Sequence, residues 1–146
     1  MKNFISFISK MLFSDSAENV ESGEFPYEIE VIAENLYVPW AIDISDNGKL
    51  YFTERSGAIR TIEEGYLYPQ PLITFPAPFT SQGEGGLMGI ALDPNFAQNH
   101  YIYVMHSYVE GNQIYSRVVR LIEQNNRAFI DQVLLDKIPG GLVHVG

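Results

Sequence analysis

The sequence predicts an all-β protein built from two four-stranded units, and two observations lead to this prediction. From Tyr27 onward, apolar residues occur in short β-branched and aromatic runs separated by Gly, Pro, Asn and Asp, which is typical of strands joined by tight turns. In addition, a segment that begins at Trp40 recurs at Met88, and an aromatic-rich strand follows each copy. No apolar run in this region has the length and period of a helix.

The turn residues separate the chain into nine predicted strands. In order, these are 27–33, 40–44, 50–54, 58–63, 72–75, 88–92, 101–108, 114–122 and 132–136. The sequence Asp46-Asn47-Gly48 supplies the positive φ that a tight hairpin needs, and Ser56-Gly57 does the same for the next hairpin.

The repeat is the more informative signal. Trp40–Asn47 superposes on Met88–Asn95 with an offset of 48 residues, and each copy is part of a unit of four strands. Four-stranded units that repeat every ~40–50 residues are the signature of β-propeller blades, whereas a plain antiparallel sandwich is the alternative fold. Because repeat folds need three or more units, we expect the chain to be the N-terminal part of a longer protein. Its open blade faces predict self-association.

The first 26 residues are predicted to lie outside the folded domain. Met1–Ser16 loosely resembles a secretory signal, but Lys10 interrupts the apolar run and no small-residue cleavage site follows, so a short amphipathic helix or a tail is the alternative. Residues 14–26 are polar and acidic and indicate a linker. No segment has the ~20 apolar residues of a membrane span.

Composition excludes several classes of function. The 9 basic and 18 acidic residues give a formal net charge of −9, which argues against nucleic-acid binding. The absence of cysteine excludes disulfides, a thiolate zinc site and a cysteine nucleophile. A hydrophobic fraction of 46% is enough to form a core, to which we assign Trp40 and the Tyr and Phe residues of the strands.

Three segments resemble the pyrroloquinoline quinone-dependent glucose/sorbosone dehydrogenase family. They are residues 38–62 (VPWAIDISDNGKLYFTERSGAIRTI), residues 83–96 (GEGGLMGIALDPNF) and residues 138–146 (IPGGLVHVG). The resemblance implies a six-bladed β-propeller that oxidises aldose sugars or related alcohols by hydride transfer to pyrroloquinoline quinone, with calcium at the cofactor site. It also implies an extracellular or periplasmic location.

By position in the third segment, His144 matches the catalytic histidine of the family. An imidazole suits this role, because taking a proton from a sugar hydroxyl needs a base that is neutral near pH 7. Without the resemblance, a histidine at the end of a loop is an ordinary solvated residue. His100 and His106 have no partner at metal-ligand spacing and are predicted to be turn and strand residues, and no metal ligand is assigned in this chain.

Glu84 stands where relatives carry a glutamine or glutamate beside the cofactor pocket. Its neighbours Gly83, Gly85 and Gly86 allow tight turns close to a ligand. The alternative is a simple connector between blades in which Glu84 is exposed. For Arg55, at the end of a predicted strand, a salt bridge to a neighbouring acid is preferred over a position in the central channel.

The resemblance also implies what this chain lacks. A quinone with three carboxylates over calcium needs several Arg or Lys donors and a set of oxygen ligands, and the family supplies most of these from later blades. We therefore expect little or no activity from the chain alone. The alternatives are a noncatalytic β-propeller module that binds a protein or glycan, and a gene fragment without function.

Overall fold

The computed structural model describes residues 29–143, and the chain divides into one unit that ends at Leu36 and a second that begins at Tyr37. In the first unit, residues 29–36 form neither helix nor strand. The predicted strand 27–33 is therefore wrong over residues 29–33, where Ile29 and Val31 are about half exposed. A run of β-branched residues favours a strand only when a neighbouring strand supplies its hydrogen bonds. The predicted leader and linker, residues 1–26, lie outside the described residues.

The second unit begins with a five-stranded antiparallel sheet. Its strands are β1 (Pro39–Ile44), β2 (Leu50–Glu54), β3 (Ala58–Glu63), β4 (Tyr66–Leu67) and β5 (Ile73–Thr74). β1, β2, β3 and β4 pair in that order, and β5 pairs with β3. The observed bounds of β2 and β3 match the predicted ones, because the predicted turns at Gly48 and Gly57 form with positive φ. β5 is shorter than predicted, although the N–H groups of Leu72 and Phe75 at its flanks still donate to the carbonyl oxygens of Ile59 and Gly57.

A four-stranded antiparallel sheet follows. Its strands are β6 (Leu87–Leu92), β7 (Tyr101–Glu110), β8 (Gln113–Gln124) and β9 (Arg127–Pro139), paired in sequence order. A short helix, α1 (Phe96–Asn99), connects β6 to β7. All four strands were predicted, although β9 extends well beyond residues 132–136 because it pairs with β8 from Gln124 to Tyr115.

The two sheets confirm the repeat. In each sheet the first two strands pair antiparallel and the register shifts near the start of the first strand, between Pro39 and Ala41 in one sheet and between Leu87 and Ile90 in the other. The same irregularity at the same place shows that the 48-residue similarity reflects equivalent structure.

The core lies between the two sheets. Buried residues from both sheets form one cluster, which consists of Tyr51, Ile59, Leu72, Phe75, Leu87, Ile102, Val104, Val119, Leu121 and Ala128. Tyr51 and Phe52 are buried as predicted, but Trp40 is 54% exposed, so its assignment to the core is wrong for the described residues. Within residues 29–143, no helix is long and apolar enough to cross a membrane.

Candidate functional site

The connection from β5 to β6 ends in residues 81–86 (Ser-Gln-Gly-Glu-Gly-Gly), here called the glycine loop. It leads into β6, and it contains the predicted cofactor residue Glu84, which is exposed. The peptide N–H of Gly85 donates to the carbonyl oxygen of Gln82 at 3.1 Å, so the loop contains a tight turn. Exposure of Glu84 fits both interpretations made from the sequence, a pocket rim and a connector.

The glycine loop contacts the segment that leads to His144. The N–H of Glu84 donates to the carbonyl oxygen of Leu142 at 2.9 Å. Gly83 is packed against the same peptide, since a Cβ built on it would lie 2.1 Å from that oxygen. His144 lies outside the described residues, two positions after Leu142. The structure therefore joins the two predicted site segments through their main chains, although nearly 60 residues separate them in sequence.

Arg55 lies directly beneath the glycine loop. Its Nη1 atom donates to the carbonyl oxygens of Gly83 at 2.7 Å, Gly85 at 3.0 Å and Ser81 at 3.4 Å. The salt bridge predicted for Arg55 is not its observed role, because its hydrogen bonds go to main-chain carbonyls. Sequence reasoning missed these partners, since they are 26 to 30 residues away in the chain.

The main chain of β7 supports the loop from the other side. The N–H of Ser107 donates to the carbonyl oxygen of Gly86 at 2.9 Å, and the N–H of Thr80 donates to the carbonyl oxygen of Ser107 at 3.1 Å. The hydroxyl of Ser107 lies 3.3 Å from that of Ser116 on β8. Both ends of the glycine loop are thus tied to the second sheet.

Next to Ser107, His106 is fully buried. Its Nδ1 lies 3.1 Å from the carbonyl oxygen of Ser107, and Nε of Arg117 donates to its Nε2 at 3.0 Å. The ring packs 4.6 Å from that of Phe75, measured between centroids. Burial is the main cause that lowers the pKa of His106 to about 4, and the positive charge of Arg117 contributes in the same direction. The imidazole is therefore neutral at pH 7, with its proton on Nδ1 donated to Ser107.

Beyond Arg117, a cation–π contact and a hydrogen bond connect this group to Asp136 on the last strand. The Arg117 guanidinium lies 4.6 Å from the ring centroid of Tyr108, and the Tyr108 hydroxyl donates to Oδ1 of Asp136 at 2.7 Å. This hydrogen bond lowers the pKa of Asp136, whereas burial is the main cause of the raised pKa of Tyr108. His106 was predicted only as a strand residue, and nothing in the sequence indicated this network.

A cavity of about 890 Å³ lies at the opposite end of the strands, between the turns that precede β2, β7 and β9. Two of its carboxylates are hydrogen bonded to the other sheet. On one side, Oδ2 of Asp43 accepts from the N–H of Leu92 at 2.7 Å. Deeper in the cavity, Glu123 accepts from Nζ of Lys49 at 3.0 Å and from the Tyr51 hydroxyl at 2.7 Å. These bonds connect the two sheets, so the carboxylates have a structural role.

The two packed sheets are blades of a β-propeller, the fold of sugar dehydrogenases of known structure. The family model described as "Glucose / Sorbosone dehydrogenase" matches residues 36–146, and the chain belongs to this family.

Three relatives illustrate the similarity. Aldose sugar dehydrogenase YliI of Escherichia coli K12 is 34% identical over 82 residues, which are 56% of this chain and 22% of that protein. The structure of the PQQ-bound aldose sugar dehydrogenase of Streptomyces coelicolor is 25% identical, with a TM-score of 0.69 over 79% of this chain and 35% of that one. A Thermus thermophilus protein, solved as a candidate glucose dehydrogenase, is 36% identical, with a TM-score of 0.68 over 77% of this chain and 33% of that one. The chain therefore spans about a third or less of the length of these relatives.

The described residues do not by themselves fit pyrroloquinoline quinone and calcium. Arg55 is the cation beneath the glycine loop, and its Nη1 is occupied by carbonyl oxygens. The cations with partners elsewhere are Lys49 with Glu123, Arg60 with Glu54, Arg117 with His106, Arg120 with Asp131 and Lys137 with Glu110. Within residues 29–143, no group of three or more His, Asp or Glu side chains is placed to hold a metal ion. A tricarboxylate needs several cationic donors, so this part of the chain provides at most one wall of such a site.

Proposed function

We propose that this chain forms one wall of the active site of a pyrroloquinoline quinone-dependent dehydrogenase of aldose sugars or related alcohols. In this proposal His144 is the catalytic base and Glu84 lies beside the cofactor. The observation that carries the proposal is the 2.9 Å hydrogen bond from the N–H of Glu84 to the carbonyl oxygen of Leu142. Two segments that the family resemblance assigns to one site are adjacent, which a mere connector between sheets does not require.

A second, shorter similarity within the sequence, with an offset of 55 residues rather than 48, supports the role of His144. The sequence Gly140-Gly141-Leu142 repeats Gly85-Gly86-Leu87, and this alignment matches His144 with Gly89 of β6. A Cβ built on Gly89 has no atom within 4 Å, so this position in a blade faces open space that a side chain and a substrate can share. The imidazole of His144 would accept the proton of the substrate hydroxyl, for which a base that is neutral near pH 7 is needed.

A chimera tests the assignment of His144. Residues 37–146 would replace the matching segment of the E. coli aldose sugar dehydrogenase, and oxidation of an aldose would be followed with quinone and a dye. We expect His144→Gln to lower kcat by about 10²- to 10⁴-fold, because that is the typical contribution of a general base. Exposed His100 serves as the control, and His100→Gln should leave kcat unchanged. Full turnover by the His144→Gln chimera would contradict the proposal.

We further propose that the 146-residue chain by itself has little or no dehydrogenase activity. The support is the shortage of cationic donors and metal ligands in residues 29–143 described above. Calcium and most of the quinone ligands would then come from segments beyond this chain. Purified chain mixed with calcium, quinone, an aldose and a dye should show no oxidation, and measurable turnover would overturn this part.

A surface on β9 favours a second candidate function, a noncatalytic propeller module that associates with itself. Phe129 and Leu135 pair with Ile122 and Val118 of β8, so they lie on the same face of the sheet, and they are 52% and 56% exposed, which is unusual for a soluble surface. We propose that a second copy of the chain covers this face. Sedimentation should then show dimers or trimers that Leu135→Asp weakens, and a monomer at every concentration would refute it. The net charge of −9 argues against nucleic acid as a partner.

The family resemblance also supports a location outside the cytoplasm, in the cell envelope or the medium. One solved relative, from E. coli, is described as a soluble aldose sugar dehydrogenase. Fractionation of cells that express the full sequence tests this location, and recovery only in the cytoplasm would contradict it.

A further inference from the structure

The carbonyl groups of the glycine loop point inward to a single cation. Of its six residues, Ser81, Gly83 and Gly85 direct their carbonyl oxygens to Nη1 of Arg55, at 3.4, 2.7 and 3.0 Å. Three alternate peptides of a short loop do not converge on one nitrogen unless the loop is wrapped around it. A charged donor strengthens each of these bonds compared with a neutral one.

The backbone of Arg55 is itself held on both sides. Its N–H donates to the carbonyl oxygen of Val38 at 3.0 Å, and its carbonyl oxygen accepts from the N–H of Leu87 at 3.1 Å. Arg55 is therefore anchored between the residue that precedes β1 and the first residue of β6. The side chain reaches the loop from a rigid base, which is what a positioning residue needs.

The glycines of the loop are matched to this arrangement. Gly86 has φ of 146°, and a Cβ on it would lie 2.3 Å from the carbonyl oxygen and 2.7 Å from Cγ of Arg55. Only glycine allows the main chain to approach Arg55 so closely. Loop and arginine are thus complementary in shape as well as in hydrogen bonding.

We propose that Arg55 is a positioning residue that fixes the glycine loop in the conformation that places Glu84 against Leu142. The functional role of Arg55 rests on the proposed function, in which Glu84 and the segment before His144 belong to one site. Because Arg55 fixes the loop before any ligand binds, binding does not have to order the loop and so loses less conformational entropy. Arg55 touches neither substrate nor cofactor in this proposal and acts through the loop alone.

Amide hydrogen exchange of the full 146-residue chain tests the inference. Arg55→Met keeps the aliphatic stem of the side chain and loses its donors. Exchange of the Glu84 amide should then become faster by about tenfold or more, because losing a hydrogen bond from a charged donor raises the population of the open loop by at least that factor. Arg55→Lys should restore much of the protection, because an ammonium group is also charged and offers three N–H donors at one nitrogen, whereas Nη1 of arginine carries two. Arg127 is an exposed arginine at the start of β9, and Arg127→Met controls for the loss of one positive charge.

Equal exchange of the Glu84 amide in wild type and Arg55→Met would overturn the inference, and so would an equal acceleration in Arg127→Met. If Arg55→Met does not fold, the wild-type chain decides by NMR. Slowed rotation and slow exchange of the Arg55 Nη protons are expected, and a freely rotating guanidinium would overturn the inference. None of these measurements needs quinone or sugar, so their outcome does not depend on whether the proposed function is correct.

Discussion

Protonation of His106 should make the stability of this domain depend on pH in a window set by one residue. The ring is 0% exposed, and it packs against the rings of Phe75, Phe79 and Tyr108. In the unfolded chain its pKa is 6.5, whereas burial lowers the pKa to about 4 in the folded protein. The unfolded state therefore binds a proton between these pH values that the folded state does not bind.

The direction and size of the effect follow from this difference. Stability is fully present above pH 6.5 and falls as the pH decreases toward 4, because protons then favour the unfolded chain. At about 1.4 kcal/mol per pH unit, the interval from 6.5 to about 4 corresponds to about 3 kcal/mol. The charged groups that face the ring act in opposite directions, since Arg117 lowers the pKa of His106 and Asp136 raises it.

Urea denaturation of the wild-type chain and of His106→Gln, measured from pH 4 to pH 8, tests this reasoning. The variant should be less stable at pH 7, because it loses the ring contacts, but its stability should change much less between pH 6.5 and 4. Asp93 and Asp136 have lowered pKa values, so most of their contribution is lost at lower pH than that of His106. His100→Gln, at an exposed histidine, should retain the wild-type slope. Parallel curves for wild type and His106→Gln would refute the argument.

Two further substitutions test the buried contacts between the sheets, both by denaturant unfolding. Glu123→Gln leaves the ammonium of Lys49 buried without its carboxylate, and we expect the free energy of unfolding to fall by about 3 kcal/mol or more. For Glu110→Gln, in an exposed pair with Lys137, the expected loss is less than about 1 kcal/mol. Equal losses would contradict the role of burial. Gly86→Ala forces a Cβ to within 2.3 Å of a main-chain oxygen and should lower the free energy of unfolding by about 1–3 kcal/mol. Gly89→Ala, whose Cβ meets no atom within 4 Å, should be nearly neutral. The reverse order would contradict the loop geometry.

Prediction from sequence worked best where local signals agree. β2 and β3 have the predicted bounds because short runs of β-branched and aromatic residues, a turn at Gly48 and a turn at Gly57 all indicate the same hairpins. It failed at residues 29–33, where β-branched residues occur without a pairing strand. Trp40 was assigned to the core on its size, but the burial of a side chain in a sheet depends on what covers its face, which the pattern along one strand does not reveal.

The candidate site shows the same division. Glu84 and His144 were chosen because their motifs resemble a family, and the structure adds that the main chain of Glu84 touches the segment before His144. The role of Arg55 was predicted incorrectly, because a sequence shows a charge but not the acceptors that fold around it. His106 carried no signal at all, since its burial and its bond to Arg117 exist only once β7 and β8 pair.

The amino-acid sequence alone was enough to predict the all-β class, the 48-residue repeat, most of the strands and the family. These features depend on residues that are close together in the chain or on short motifs that can be recognised in the sequence itself. Only the folded structure showed which aromatic side chains are buried, what Arg55 and His106 bind, and how the glycine loop meets the segment that precedes His144. This division reflects the range of the interactions. A turn or an alternating strand is specified within about ten residues. The bonds from Arg55 to the glycine loop and from Lys49 to Glu123, in contrast, span 26 to 74 residues and form only when the two sheets pack together.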